Sequence, residues 1–175
     1  MKFTILFLFF TFIQATIGQR ISLFEYVNNT NRHNIQPFSP IVNTIKLAKK
    51  YGIEIYSERL LQQKGTRLLG VYRPYTRHIV LYNVPELEYF NELNDETLKH
   101  ELIHAIQHCN GNREHYVPLT SDIFLIASCI VKKKVNVTFI KSFYSEKDFK
   151  IELEAYCFEK LVSYEDINIL LNMYC

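Results

Sequence analysis

The sequence predicts an α+β fold: a small antiparallel or mixed sheet packed against one functional helix, with further helices after it. Three observations carry this expectation. Two β-rich runs, residues 68–72 and 78–82, flank the polar, proline-containing connection Arg73-Pro74-Tyr75-Thr76-Arg77, as in a hairpin. Next, Leu98, Leu102, Ala105, Ile106 and Cys109 recur at helical spacing and form one apolar stripe. Finally, residues 119–131, 145–162 and 164–173 read as helices, with Ser145 as an N-cap and Glu146 and Asp148 favouring the first turn after it. At 175 residues the chain fits one domain with a core of its own.

The elements follow in order. Met1-Lys2 and the apolar run 3–13, then the small and polar residues 14–18, match a secretory signal peptide with Gly18-Gln19 as a cleavage point. The run is too short for the roughly 20 apolar residues of a membrane span, although an uncleaved anchor is the alternative. Residues 1–18 are therefore set apart from a domain expected over 19–175. Residues 20–40 show no clear period and read as an extended or loosely packed lead-in. Ser39-Pro40 opens a helix that Gly52 stops, and Ile53-Glu54-Ile55-Tyr56 alternates as a strand does. Asn94 or Asp95 is the expected cap of the helix carrying the apolar stripe, and Asn110-Gly111-Asn112 its stop. The helix over 119–131 is expected to lie buried behind it. Residues 137–144 read as a loop or short strand.

Composition excludes little, but it does narrow partners. A formal charge of +2 gives no electrostatic case for nucleic acid, and Lys132-Lys133-Lys134 reads as a solvated helix end. Four cysteines (Cys109, Cys129, Cys157, Cys175) allow two bridges in three pairings; alternatively Cys129 and Cys157 are buried thiols on helices. Asn28-Asn29-Thr30 and Asn136-Val137-Thr138 fit the glycosylation triplet.

Chemistry concentrates in His100-Glu101-Leu102-Ile103-His104, an HExxH pattern on the striped helix. Residues four apart share a helix face, so both imidazoles can reach one ion at a spacing suited to zinc. Glu101 is placed to act as general base on the water that such an ion acidifies, from a pKa of roughly 16 to about 7.

A catalytic zinc needs a third protein ligand. The metzincin extension is absent, because Gln107 and Asn110 occupy its glycine and histidine positions. His108 stands about 12 Å along the axis from His100 and is expected in solvent, as is His115 beyond the glycine. The helix Ile151-Glu152-Leu153-Glu154-Ala155-Tyr156-Cys157-Phe158-Glu159 offers three carboxylates. Glu154 lies at the edge of its apolar face beside small Ala155, while Glu152 and Glu159 fall nearer the solvated side.

HExxH at 100–104 followed by Glu154-Ala155-Tyr156-Cys157-Phe158-Glu159 resembles the gluzincin branch of zinc metallopeptidases, and more narrowly small domains of the ImmA/IrrE kind. The resemblance covers about residues 53–161. It implies a minimal zincin-like fold, one zinc per chain on His100, His104 and Glu154, and Glu101 as the catalytic base. The run from His100 through Cys109 is also similar to the zinc protease that matures an ATP synthase subunit in the mitochondrial intermembrane space, but the upstream cysteine pairs of that protease are absent.

The expected activity is zinc-dependent hydrolysis of a peptide or protein substrate by a secreted or exported chain, with no membrane contact beyond the leader. The strand at 78–82 is the expected edge that aligns an extended peptide. Tyr144, Tyr156 and His115 are candidates for stabilising the oxyanion. The alternative is a catalytically inactive, secreted zincin-like domain that binds metal or a partner.

Overall fold

A computed structural model of the chain describes residues 17–30, 39–60, 69–82, 92–119, 123–132 and 135–175. Most of the expected leader lies outside them. The fold is mixed α+β, in the order β1 (Ile17–Ser22), α1 (Leu23–Thr30), α2 (Ser39–Lys50), β2 (Glu54–Leu60), β3 (Gly70–Arg73), β4 (His78–Tyr82), α3 (Glu92–Asn110), α4 (Ile123–Val131), α5 (Val137–Phe143), α6 (Glu146–Leu161) and α7 (Tyr164–Tyr174).

The helix opened by Ser39-Pro40 forms as expected and ends where Gly52 turns the chain at φ 75, a left-handed conformation that glycine adopts without steric cost. The hairpin also forms: β3 and β4 pair antiparallel, from Gly70 opposite Leu81 to Arg73 opposite His78. Arg77, at φ 56, closes its connection. β2 then pairs parallel with β4, and β1 antiparallel with β2, which gives a mixed sheet of order β1-β2-β4-β3.

This order corrects two expectations. β4 lies between β2 and β3, so the strand at 78–82 is interior and β3 is the edge. The lead-in is not loose: Arg20, Ile21 and Ser22 pair with β2, and Leu23 and Val27, one turn apart on α1, are buried in the core. Ile17 and Gly18, assigned by sequence to the leader, open β1, where the register shifts between Ile17 and Arg20.

One core fills the space between the sheet and helices α1, α2, α3, α6 and α7. Leu98, Leu102, Ala105 and Ile106, the predicted stripe of α3, are fully buried in it. Burial of each leucine or isoleucine contributes roughly 1.5–3 kcal/mol, which fixes the rotation of α3 about its axis. A second, smaller cluster joins α4, α5 and α6 through Cys129, Ile140, Leu153 and Cys157. Thus α4 packs on α6 rather than behind α3, with Val131 exposed at its end. Residues 137–143 are helical, contrary to the expected loop or strand. The Asn136 side chain caps them by accepting from Phe139 N, so the asparagine of the glycosylation triplet is a helix cap.

The ends of α6 and α7 follow sequence logic closely. Ser145 caps α6, and Ser163 and Asp166 form a capping box on α7. Helix α3 starts earlier than predicted, at Glu92, so Asp95 lies inside it and pairs with Lys99 at 2.9 Å. One disulfide, Cys109–Cys175, ties the end of α3 to the residue after α7, while Cys129 and Cys157 are free and buried. Among the described residues, no helix is long and apolar enough to cross a membrane.

Candidate metal centre

Helix α3 delivers His100 and His104 to the same face, and α6 packs across them. Their rings meet edge-on with centroids 4.6 Å apart, and the two Nε2 atoms lie 3.0 Å from each other. Glu152 Oε2 stands 3.5 Å from each of these nitrogens. The three side chains form a group that could hold a metal ion. Two ligands about 2.1 Å from a zinc at the tetrahedral angle lie about 3.4 Å apart, so this triangle has the dimensions of a zinc ligand face. Glu152 Oε2 is buried, with no close hydrogen bond among the described residues, and the two Nε2 atoms at 3.5 Å are the partners it faces.

The carboxylate in this position is Glu152, not Glu154. A helix turns about 100° per residue, so Glu154 lies roughly 200° around α6 from Glu152. Its carboxylate is 2% exposed and accepts from Leu119 N and from Gln107 Nε2, both at 2.8 Å. These bonds place Glu154 one step behind the site. Gln107 in turn offers Oε1 to His104 Nδ1 at 2.8 Å and donates to the Ile151 carbonyl at 3.1 Å. On the other histidine, Nδ1 meets Glu159 Oε2 at 2.8 Å. An acceptor on each Nδ1 keeps the proton there and leaves Nε2 as the ligand atom, the usual outer-shell arrangement of metal-binding histidine.

Gln107 and Glu159 were not identified from sequence as site residues. The signal was present for Glu159. Seven residues bring a helix back to within about 20° of the same direction, so Glu152 and Glu159 face His100 together.

The electrostatics are those of a tightly paired cluster. Burial lowers the His100 pKa, but the Glu152 and Glu159 carboxylates more than reverse this, to about 10. For Glu152, burial works upward and is overcome by His100 and His104, to about 2. A divalent cation can take the place of such a proton among the carboxylates. Glu101, 8% exposed, is raised above the ordinary carboxylate range by burial, against the attraction of His100 and His104. β3 closes over it at Gly70, where a Cβ would meet Thr97 Cγ2 at 2.7 Å and Glu101 Cγ at 3.1 Å. Only glycine lets the edge strand sit this near the carboxylate.

The group opens into a cleft of about 1160 Å³ between β3, the turn after α3, and the start of α6. Tyr144 and His115 line it, whereas Tyr156 packs edge-on against the His100 ring at 4.6 Å. Tyr116, which the sequence did not single out, also lines the cleft, with its ring 5.9 Å from His104. Burial raises the pKa of both Tyr144 and Tyr116, so each keeps its O–H to donate. His108 is buried, contrary to the expected exposure, with Nδ1 hydrogen-bonded to the Tyr72 hydroxyl at 3.0 Å; it is not part of the metal group.

No family model matches this chain, and no curated protein or solved structure matches it either. Its function therefore has to be argued from the site itself.

Proposed function

We propose that this chain is a zinc-dependent metallopeptidase of minimal zincin-like fold, with His100, His104 and Glu152 as ligands and Glu101 as general base. The observation that supports it most is the convergence of two imidazole Nε2 atoms and a buried carboxylate oxygen at the floor of an open cleft. Two histidines and a glutamate with an open fourth position are the donor set of catalytic rather than structural zinc.

Bound zinc would supply Lewis acidity toward a carbonyl oxygen and acidify water. The protein supplies the rest. Glu101 takes the proton of the attacking water and returns it to the leaving amine; its raised pKa suits a group that must do both near neutral pH. Tyr144 and Tyr116 offer O–H donors to the oxyanion from the walls of the cleft. The edge strand β3, which lines the cleft at Gly70, Val71 and Tyr72, can align an extended peptide by main-chain pairing. The apolar leader and the Cys109–Cys175 bridge both fit an exported protein, since disulfides persist in oxidising compartments.

The test is Glu101→Gln, assayed on a degenerate peptide library with and without chelator. The variant retains zinc and loses cleavage by at least about 100-fold. Cleavage at the wild-type rate would refute the role of Glu101.

A further inference from the structure

Beyond the metal group, the cleft carries an excess of positive charge. Four cationic side chains, Arg77, Arg113, Lys147 and Lys150, face two carboxylates, Glu114 and Asp148. Asp148 is already engaged by the Ser145 hydroxyl, which donates to Oδ2 at 2.6 Å. Among the described residues, neither arginine forms an ion pair with a carboxylate.

Arg77 is held rigidly. Its Nη2 donates to the Tyr51 carbonyl at the end of α2, and the Tyr72 side chain is a further hydrogen-bond partner, while its Nε is buried without one. The like charge of Arg113 acts on Arg77, and both arginines act on His108, which burial already holds below the usual histidine range. Two like charges on one cleft wall, neither paired with a carboxylate among the described residues, attract an anion to the space beside them. The structure thus holds a preorganised anion site at one end of a cleft whose other feature is the metal group.

The backbone places Arg113 one turn of α3 beyond the metal group, because Arg113 N–H donates to the His108 carbonyl at 2.8 Å. His104 and His108 are one helical turn apart, about 6 Å along the axis, and the Tyr116 ring lies 5.9 Å from His104 and 5.6 Å from His108. An extended peptide advances about 3.3 Å per residue, so about two residues separate the two sites.

We infer that Arg77 and Arg113 form a subsite that binds a peptide carboxylate about two residues from the scissile bond. This rests on the metallopeptidase reading for its substrate and supplies the specificity of that site. The carboxylate comes either from the C-terminus, in which case short C-terminal fragments are released, or from an acidic side chain. A guanidinium suits both, because its planar fork matches a carboxylate bidentately.

The experiment uses the zinc-loaded full chain and three peptide libraries that differ only at one end. One has a free C-terminal carboxylate and no acidic residues. The second is amidated with a fixed Glu, and the third amidated with a fixed Gln. The expected result is a kcat/KM at least about ten-fold higher for one or both carboxylate libraries than for the Gln library, carried mainly by KM. The library that is preferred names the source. Arg113→Gln changes an exposed side chain and brings this ratio to within about two-fold of unity, and Arg77→Gln does the same if its melting curve shows a folded protein. A wild-type ratio near unity, or a ratio unchanged in Arg113→Gln, overturns the subsite and leaves the peptidase reading standing.

A binding measurement separates the opposite case. Fluorescein-labelled Ala-Ala-Ala-Ala-Glu and its fully amidated counterpart, Ala-Ala-Ala-Ala-Gln-amide, are titrated with the zinc-loaded Glu101→Gln variant and followed by anisotropy. Tighter binding of the carboxylate form that is lost in Glu101→Gln/Arg113→Gln supports the subsite even if no library is cut. Equal binding of the two peptides overturns it.

Discussion

Replacing Glu154 with alanine separates a ligand from a supporting residue, because among the described residues this carboxylate accepts from the buried Leu119 N–H and Gln107 Nε2 and lies outside the metal group. Glu154→Ala strands Leu119 N–H and one of the two N–H donors of Gln107 Nε2, each now bonded to Glu154 at 2.8 Å inside the protein. An unpaired buried donor costs about 1–3 kcal/mol, so the expected loss of stability is about 2–6 kcal/mol. Function suffers less. Gln107 keeps its bond to the Ile151 carbonyl and remains beside His104, so metal stoichiometry stays at one per chain while affinity falls about 10- to 100-fold. The assays are urea unfolding in the presence of chelator, for stability alone, and competition with a chromophoric chelator, for affinity. A double-mutant cycle with Gln107→Ala should show a coupling of about 0.5–3 kcal/mol, since the two side chains share one hydrogen bond. A Glu154→Ala protein that unfolds like the wild type yet binds no metal would refute the assignment.

Two further outcomes follow from the same geometry. Glu159→Ala removes the acceptor on His100 Nδ1 and should weaken metal binding about 10- to 100-fold without abolishing it, measured by the same competition. Cleaving the Cys109–Cys175 bridge releases a constraint across a sequence separation of 66 residues. Loss of loop-closure entropy then predicts a destabilisation of about 4 kcal/mol, read as a lowered urea midpoint in Cys175→Ser or under reductant.

Regular periodicity was legible. The apolar stripe of α3 marked Leu98, Leu102 and Ile106 as core, and the i, i+4 spacing put both histidines on one neighbouring face. The burial of Ile103, Gln107 and His108 was not legible, because it comes from α6, α7 and the sheet closing over the remaining sides of the helix. Local chemistry also sufficed for Ser39-Pro40, Gly52, Ser145 and the β3–β4 turn.

Helix α6 was harder because it is buried on two sides. Ala155 and Phe158 join the main core, while Leu153 and Cys157 join the second cluster. With apolar residues on both sides there is no single face from which to rotate the carboxylates into place. Glu154 looked like the residue at the edge of the core, whereas the pair at i and i+7, Glu152 and Glu159, faces the histidines. Long-range pairing was equally hidden. Nothing in residues 17–22 announces β2 as their partner, and a local pattern cannot show that β4 ends up inside the sheet and β3 at its edge. The helical lead-in had a faint signal in Leu23 and Val27, diluted by the asparagines around them.

The central claim, that His100, His104 and Glu152 together hold one metal ion, is tested most directly by metal content. The full chain is loaded with zinc, freed of excess by dialysis, and analysed by mass spectrometry alongside Glu152→Ala and Glu154→Ala. The account predicts one zinc per chain in the wild type, one in Glu154→Ala, and none in Glu152→Ala. Zinc lost from Glu154→Ala but kept in Glu152→Ala would contradict it.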